Sequence, residues 1–185
     1  MKRITEYVKD FKPNIGNKWQ VDEQKIKSKD GWVWSWNAID DETRFLIANT
    51  VTFHRSDRSA KKIFQKIKEI TDKKPVYIST DGLPSYPNAI KKEYRETKHL
   101  KNVGIRDKIN NNKIERFHGS WRERDKVMRG LENRKTVEQM LENYRTYYNY
   151  LRKHQALNGK TPSGMVCINF NLGKNKWVGL IKQSL

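Results

Sequence analysis

The sequence predicts an α/β domain with a mixed central sheet covered by helices. Three observations carry that expectation. The first third of the chain holds three β-forming runs separated by short turns, the pattern of an antiparallel meander. A segment of helical period then leads into a short continuous β-run, VYIST at 76–80, as a buried strand follows a helix. Two more segments of helical period, ending near 128 and at 152, supply covering helices.

In chain order, residues 1–18 are mixed and basic, and Pro13, Asn14 and Gly16 break any period, so they read as a lead-in. A strand at 19–26 places Trp19, Val21 and Glu23 on one side and Gln20, Asp22 and Gln24 on the other. A second strand at 32–40 puts Trp32, Trp34 and Trp36 on one face. Such a stripe reads first as packed sheet surface and second as a stacking platform for nucleic-acid bases. Asp40, Asp41 and Glu42 turn the chain into a third strand at 44–53. Ser56 or Asp57 caps a helix at 58–71, with Ala60, Ile63, Phe64, Ile67 and Ile70 as its buried stripe.

The strand at 76–80 ends at Asp81 and Gly82, followed by a short helix at 84–92 and a final strand at 94–100. Residues 103–112 are polar and irregular, with asparagines that can cap the next helix. That helix carries Glu115, runs to about Met128 and ends at Gly130. Ile114, Phe117, Trp121 and Met128 form its apolar stripe. The last helix, 135–152, has Val137, Met140, Leu141, Tyr144, Tyr148 and Leu151 on one side. The expected organisation is one domain, with its core at 19–155 and a weakly patterned tail at 156–185.

Lys and Arg total 39 against 21 Asp and Glu, a net charge of +18. The excess is not confined to a tail: residues 98–135 carry 12 basic and five acidic residues within a folded pattern. A folded basic face points to a polyanion, with nucleic acid the first candidate. The single cysteine, Cys167, excludes an internal disulfide and a cysteine-rich zinc site. No apolar run approaches the ~20 residues a membrane helix needs, and the N-terminus lacks a signal-peptide core, so the expected location is cytoplasmic.

Three acids sit where chemistry is possible, and each also has an ordinary reading. Asp22 fits a polar strand position, Asp81 a turn-forming Asp-Gly, and Glu115 a surface charge at the edge of an apolar stripe. Brought together from two strands and a helix they repel one another unless a cation intervenes. Mg²⁺ or Mn²⁺ supplies that charge through oxygen ligands. Two such ions about 4 Å apart can hold a phosphodiester, activate the attacking oxygen and neutralise the leaving one.

Four blocks carry a resemblance: WQVDEQKIK around Asp22, YISTDGLPSY around Asp81, NNNKIERFHGSWRERDKVMRGL around Glu115, and YYNYLRKHQALNGKTP. Together they span about residues 15–165, and 33 residues separate Asp81 from Glu115. The sequence resembles the catalytic domain of D-D-E type insertion-sequence transposases, in the retroviral-integrase superfamily. The resemblance implies an RNase H-like fold and a two-Mg²⁺ site. It implies DNA strand transfer, with transposon ends and target DNA as partners and a homo-oligomer on DNA. It further implies Asp22, Asp81 and Glu115 as catalytic metal ligands, and His118 near the site in contact with DNA or a phosphate. Lys113, Arg116, Arg122, Arg124 and Lys126 are the expected DNA contacts. The family tends to place basic residues just after the histidine, where this chain has Gly119 and Ser120. Only 21 residues precede Asp22, so the N-terminal DNA-binding region common in such transposases is expected to be missing. The competing expectation is a truncated or inactive copy that binds DNA or another transposase without chemistry.

Overall fold

A computed structural model describes residues 2–101, 109–128 and 130–185 of the chain. Its centre is a five-stranded sheet in the order β3-β2-β1-β4-β5. β1 (Lys18–Ser28), β2 (Gly31–Asp40) and β3 (Leu46–Thr52) form the antiparallel meander. β4 (Tyr77–Ser79) pairs in parallel with β1, and β5 (Lys98–Leu100) in parallel with β4. This is the expected mixed sheet. The β1–β2 hairpin turns at Lys29 and Asp30, and Gly31 follows at φ +113°, a conformation natural to glycine.

Both faces of β1–β3 are covered, because both sets of alternating positions carry apolar residues, with buried polar side chains among them on the α4 side. On one face Trp19, Val21, Trp36, Ala38 and Ile47 pack with Ile63, Phe64 and Ile67 of α2 (Asp57–Ile70) and Tyr86 and Ile90 of α3 (Ser85–Glu93). On the other, Ile26, Val33, Ile39 and Val51 meet Ile114, Phe117 and Trp121 of α4 (Asn112–Val127). Val137 and Leu141 of α5 (Arg134–Thr146) complete that side. Ser56 caps α2, its side chain accepting from the Ser59 amide, and Ile70 lies half-buried at the end of the stripe.

Four stretches differ from the sequence expectation. Residues 1–18 contain a helix, α1 (Lys2–Tyr7), then a 3-10 turn, and Ile4, Val8 and Ile15 are buried in the first core. Residues 94–97 are not strand. The Tyr94 amide closes α3 on the Ile90 carbonyl at 2.7 Å, and the Tyr94 ring packs edge-on to Trp19, so tertiary burial overrides local β preference. The last helix changes to a π-helical turn at Tyr147–Leu151. There the Asn149 amide both donates to and accepts from the backbone of Leu46 at 2.9 Å, pairing the end of β3 through a side chain. Residues 156–185 hold α6 (Pro162–Met165) and α7 (Lys176–Gln183), and Val166, Ile168, Leu172 and Leu180 are buried in the first core. Most of the polar stretch expected at 103–112 lies outside the described residues.

One side chain ties the start of α4 to the middle of the sheet. Gln20, buried on β1, accepts the Ile114 amide at 3.1 Å and donates to the Asn110 carbonyl at 2.7 Å and to Asp41 at 2.6 Å. Helix starts leave amides that need such partners. Because Glu115 follows Ile114 directly, this contact sets where Glu115 enters the site. Gln20→Leu is expected to lower stability by about 1–3 kcal/mol in urea denaturation, the cost of a buried unpaired amide. An unchanged midpoint would show that α4 is placed by its apolar stripe alone.

Candidate metal centre

The parallel pairing of β1 with β4 sets Gln20 opposite Ser79. Two residues further along each chain come Asp22 and Asp81, so the register carries both acids to the same level beyond the end of β4. The segment after β4 turns through Gly82, at φ +96°, and Asp81 accepts the Leu83 amide at 3.0 Å. That turn bond and a ligand role are compatible, because a carboxylate has further lone pairs.

A third carboxylate joins them. Oxygens of Asp22, Glu23 and Asp81 lie within 4.8 Å of one another. Asp22 is largely buried. Burial first, then the charges of Glu23, Asp81 and Glu115, push its carboxyl up to about 8. The Glu23 amide, donating to Asp22 Oδ1 at 2.9 Å, works in the other direction. Glu115 is exposed at the start of α4 and outside the tight cluster, yet close enough to add to the field on Asp22. The three sequence-chosen acids are thus brought into one electrostatic neighbourhood, with oxygens of Asp22 and Asp81 within 4.8 Å of each other.

Glu23 sits on the opposite face of β1, across from Trp36, as the alternation predicts. It accepts from the Tyr86 hydroxyl, and the Arg55 guanidinium pairs with it, Nε at 2.6 Å. Burial raises the Glu23 carboxyl, and those hydrogen bonds oppose the rise. Arg55 also reaches Asp81 at 3.5 Å, so one cation bridges two acids of the cluster. Sequence reading missed Arg55 and Tyr86 in this role. The available signal was Glu23 itself, a carboxylate on the apolar side of a strand, which demands a partner.

His118 departs from its expected role. Its ring is buried and held between Asn37 and Asp22, so it offers DNA no free surface. Asn37 Nδ2 also donates to the Ser35 carbonyl, which fixes the amide. The same Nδ2 faces His118 Nε2 at 3.1 Å, so Nε2 accepts and the proton lies on Nδ1. Nδ1 points at Asp22 Oδ2 at 3.5 Å. Burial, with Arg122 nearby, holds the imidazole down to about 3, so the contact is between a neutral donor and the carboxyl, not an ion pair. His118 orients Asp22.

The basic residues of α4 divide. Arg116, Arg122, Arg124 and Lys126 are exposed. Arg122 Nε turns back to the His118 carbonyl at 3.4 Å, Arg124 lies over the Tyr147 ring at 5.5 Å, and Lys126 pairs with Glu123 at 2.9 Å. Lys113 is engaged with Asp41 at 2.6 Å.

The donor set suits a hard divalent cation. It is all carboxylate oxygen, the ligands are clustered, and the Asp22 carboxyl is raised first by burial and then by the neighbouring acids.

A mixed five-stranded sheet in this order, flanked by helices and carrying acids on β1 and just after β4, is an RNase H-like fold of the integrase type. A family model described as a DDE domain, of the IS240 transposase type, matches residues 16–155. The chain belongs to that DDE domain family. Solved structures agree on the fold. A chain of the simian T-cell lymphotropic virus intasome, solved in complex with the PP2A regulatory subunit B56 gamma, matches at TM-score 0.62 and 15% identity, over 88% of this chain and 58% of that one. The HTLV-2 integrase catalytic core domain, in complex with magnesium, matches at TM-score 0.57 and 17% identity, over 81% of this chain and 94% of that one. The BIV integrase catalytic core matches at TM-score 0.59 and 16% identity, over 82% and 93%. The present chain therefore spans little more than half of the viral intasome chain. No protein of curated function matches it in sequence.

The state of Asp22 gives a pH test. Its native carboxyl at about 8 lies above the ordinary 3.8, so the stability tied to its proton is full below pH ~4 and is lost as pH rises through 8. His118 acts in the opposite sense, but only below its unfolded value of 6.5. Between about 6.5 and 8 the metal-free protein therefore loses stability on Asp22's account. In chelator, Asp22→Asn should gain on the wild type in urea midpoint as pH rises across that window. Parallel curves would contradict the burial of a charged cluster.

Proposed function

We propose that this chain is the catalytic domain of a DNA transposase that cuts a phosphodiester at an element end and joins the freed 3′-OH to target DNA. The observation that carries the reading is the convergence of Asp22 and Asp81 within 4.8 Å, with Glu115 in the field of Asp22, inside a chain of net charge +18. In this reading Asp22, Asp81 and Glu115 are the ligands of two divalent ions, Mg²⁺ or Mn²⁺. When bound, such ions supply activation of the attacking oxygen and neutralisation of the leaving one.

The chain's own residues do the rest. The β1–β4 register and the Gly82 turn fix Asp22 and Asp81, and Gln20 sets the helix that bears Glu115. The His118–Asn37 pair keeps the Asp22 carboxyl oriented toward the cluster. Exposed Arg116, Arg122, Arg124 and Lys126 hold DNA phosphates, which position the duplex without reading its sequence. Lys113 can join them only by leaving Asp41. Two of the three tyrosines of the π-helical turn, Tyr148 and Tyr150, are buried and not placed for covalent attack, and the third, Tyr147, is stacked on Trp177. Oligomerisation on DNA is part of this proposal, supported by the intasome assembly of the simian viral neighbour. No helix among the described residues is long and apolar enough to cross a membrane, which accords with work on DNA in the cytoplasm.

Asp81→Asn is expected to reduce Mn²⁺-dependent nicking of supercoiled DNA to background while DNA binding persists. Full nicking by the variant would overturn the assignment. Binding by the wild type with no nicking under any divalent metal would instead favour a non-catalytic binding module. Binding itself should fall steeply with salt, by about 10³-fold between about 50 and 200 mM if six phosphates are engaged.

A further inference from the structure

The β1–β2 hairpin runs past the carboxylate cluster, paired with β3 as far out as Trp34 and two-stranded beyond it, and one face of the hairpin is a ladder. Its rungs are the register pairs Glu23 with Trp36, Lys25 with Trp34 and Lys27 with Trp32. Each step along a strand face is two residues, so the last rung lies about 13 Å from the first. The three tryptophans differ in environment. Trp36 is fully buried against Tyr86, Trp34 is half-buried, and Trp32 is 52% exposed.

The cations follow the rings. Arg55, already bridging Glu23 and Asp81, lies over Trp34 at 4.7 Å from its centroid. The Lys25 ammonium is 4.5 Å from the Trp32 ring and 5.9 Å from Trp34, and Lys27 is 6.0 Å from Trp32. A continuous line of basic and aromatic groups thus leads from the acids to an open indole. The inner end of the stripe is core; the outer end is a surface.

We propose that Trp32, flanked by Lys25 and Lys27, is a stacking site for an unpaired DNA base next to the catalytic cluster. This rests on the DNA-processing reading above. The occupant follows from charge and shape: the Trp32 indole is 52% exposed and stacks on a base once the Lys25 ammonium swings off the ring face it now covers, and the two ammonium groups offer charge to that nucleotide's phosphates. Buried duplex bases cannot reach such a ring, so the site takes a frayed or single-stranded end. Arg55 and Trp34 form the inner step and guide the strand toward Asp81.

The test is the binding of a fluorescent oligothymidine and of a blunt duplex to the whole chain, in chelator so that no cleavage intervenes. Trp32→Ala should weaken oligothymidine binding about 5- to 100-fold, the effect of losing one stacked base. Trp32→Phe, which keeps a ring, should stay near the wild type, and Trp32→Leu, apolar but without a π-face, should behave like the alanine variant. Blunt-duplex binding should change less than about threefold, because phosphate contacts dominate it. Equal oligothymidine binding by all variants, equal loss on both DNAs, or no oligothymidine binding by the wild type would each overturn the proposal. So would a Trp32→Ala change that alters sedimentation and leaves oligothymidine binding intact, since the ring would then face a second copy of the chain. Failure here leaves the nicking result for Asp81→Asn untouched, so the two readings fall separately.

Discussion

The mutual repulsion of carboxylates around Asp22 is the constraint on which this structure turns. Burying one acid beside others is unfavourable, and the native fold has only a narrow stability margin, typically about 5–15 kcal/mol, within which to hold it. Asp22, Glu23 and Asp81 nevertheless lie within 4.8 Å of one another. They stay there because the sheet sets their positions: Asp22 and Glu23 lie on β1 and Asp81 two residues beyond the end of β4. The parallel pairing of β1 and β4 fixes the level of two of them, and apolar cores on both faces fix the strands. The local responses are partial: one guanidinium shared between Glu23 and Asp81, and one neutral imidazole turned toward Asp22. A divalent cation would relieve what remains, and this is why the geometry reads as a metal centre rather than as a structural ion-pair network.

The two faces of β1 divide the work. On one, Gln20, Asp22, Asn37 and His118 connect the sheet to α4, so the helix that bears Glu115 is registered by hydrogen bonds and by the Ile114–Phe117–Trp121 stripe. On the other, Tyr86 and Arg55 hold Glu23, and the tryptophan ladder begins. The acid pair at 22 and 23 therefore links the face that carries His118 and α4 to the face that carries the tryptophan ladder. The hairpin that carries both is long, and its outer half is where the exposed ring lies.

Much of this was legible in the sequence because period and punctuation agreed. The three-strand meander, the capped helix with its Ala60–Ile63–Phe64–Ile67 stripe and the short buried strand before Asp81 all follow from alternation, capping and turn chemistry. The acids stood out through the four blocks taken together rather than through any spacing alone. What remained hidden depends on long-range contacts. Tyr94 reads as a strand residue until Trp19 is placed beside it. Residues 1–18 and 156–185 look unpatterned because short elements contribute single residues, such as Ile4, Val8 and Leu180, to a core made elsewhere. His118 looks like a surface ligand on a basic helix until Asn37, 81 residues away, is found against its ring.

Thermal unfolding with and without Mn²⁺, on the wild type and on Asp81→Asn, tests the central claim most directly, because it asks for metal without needing a DNA substrate. At ten times Kd one bound ion stabilises by about 1.4 kcal/mol. For a domain of this size that is a rise of roughly 3–6 °C. The account predicts that rise in the wild type and its loss in the variant. An equal response of the two proteins to Mn²⁺ would contradict it, since Asp81 would then hold no ion.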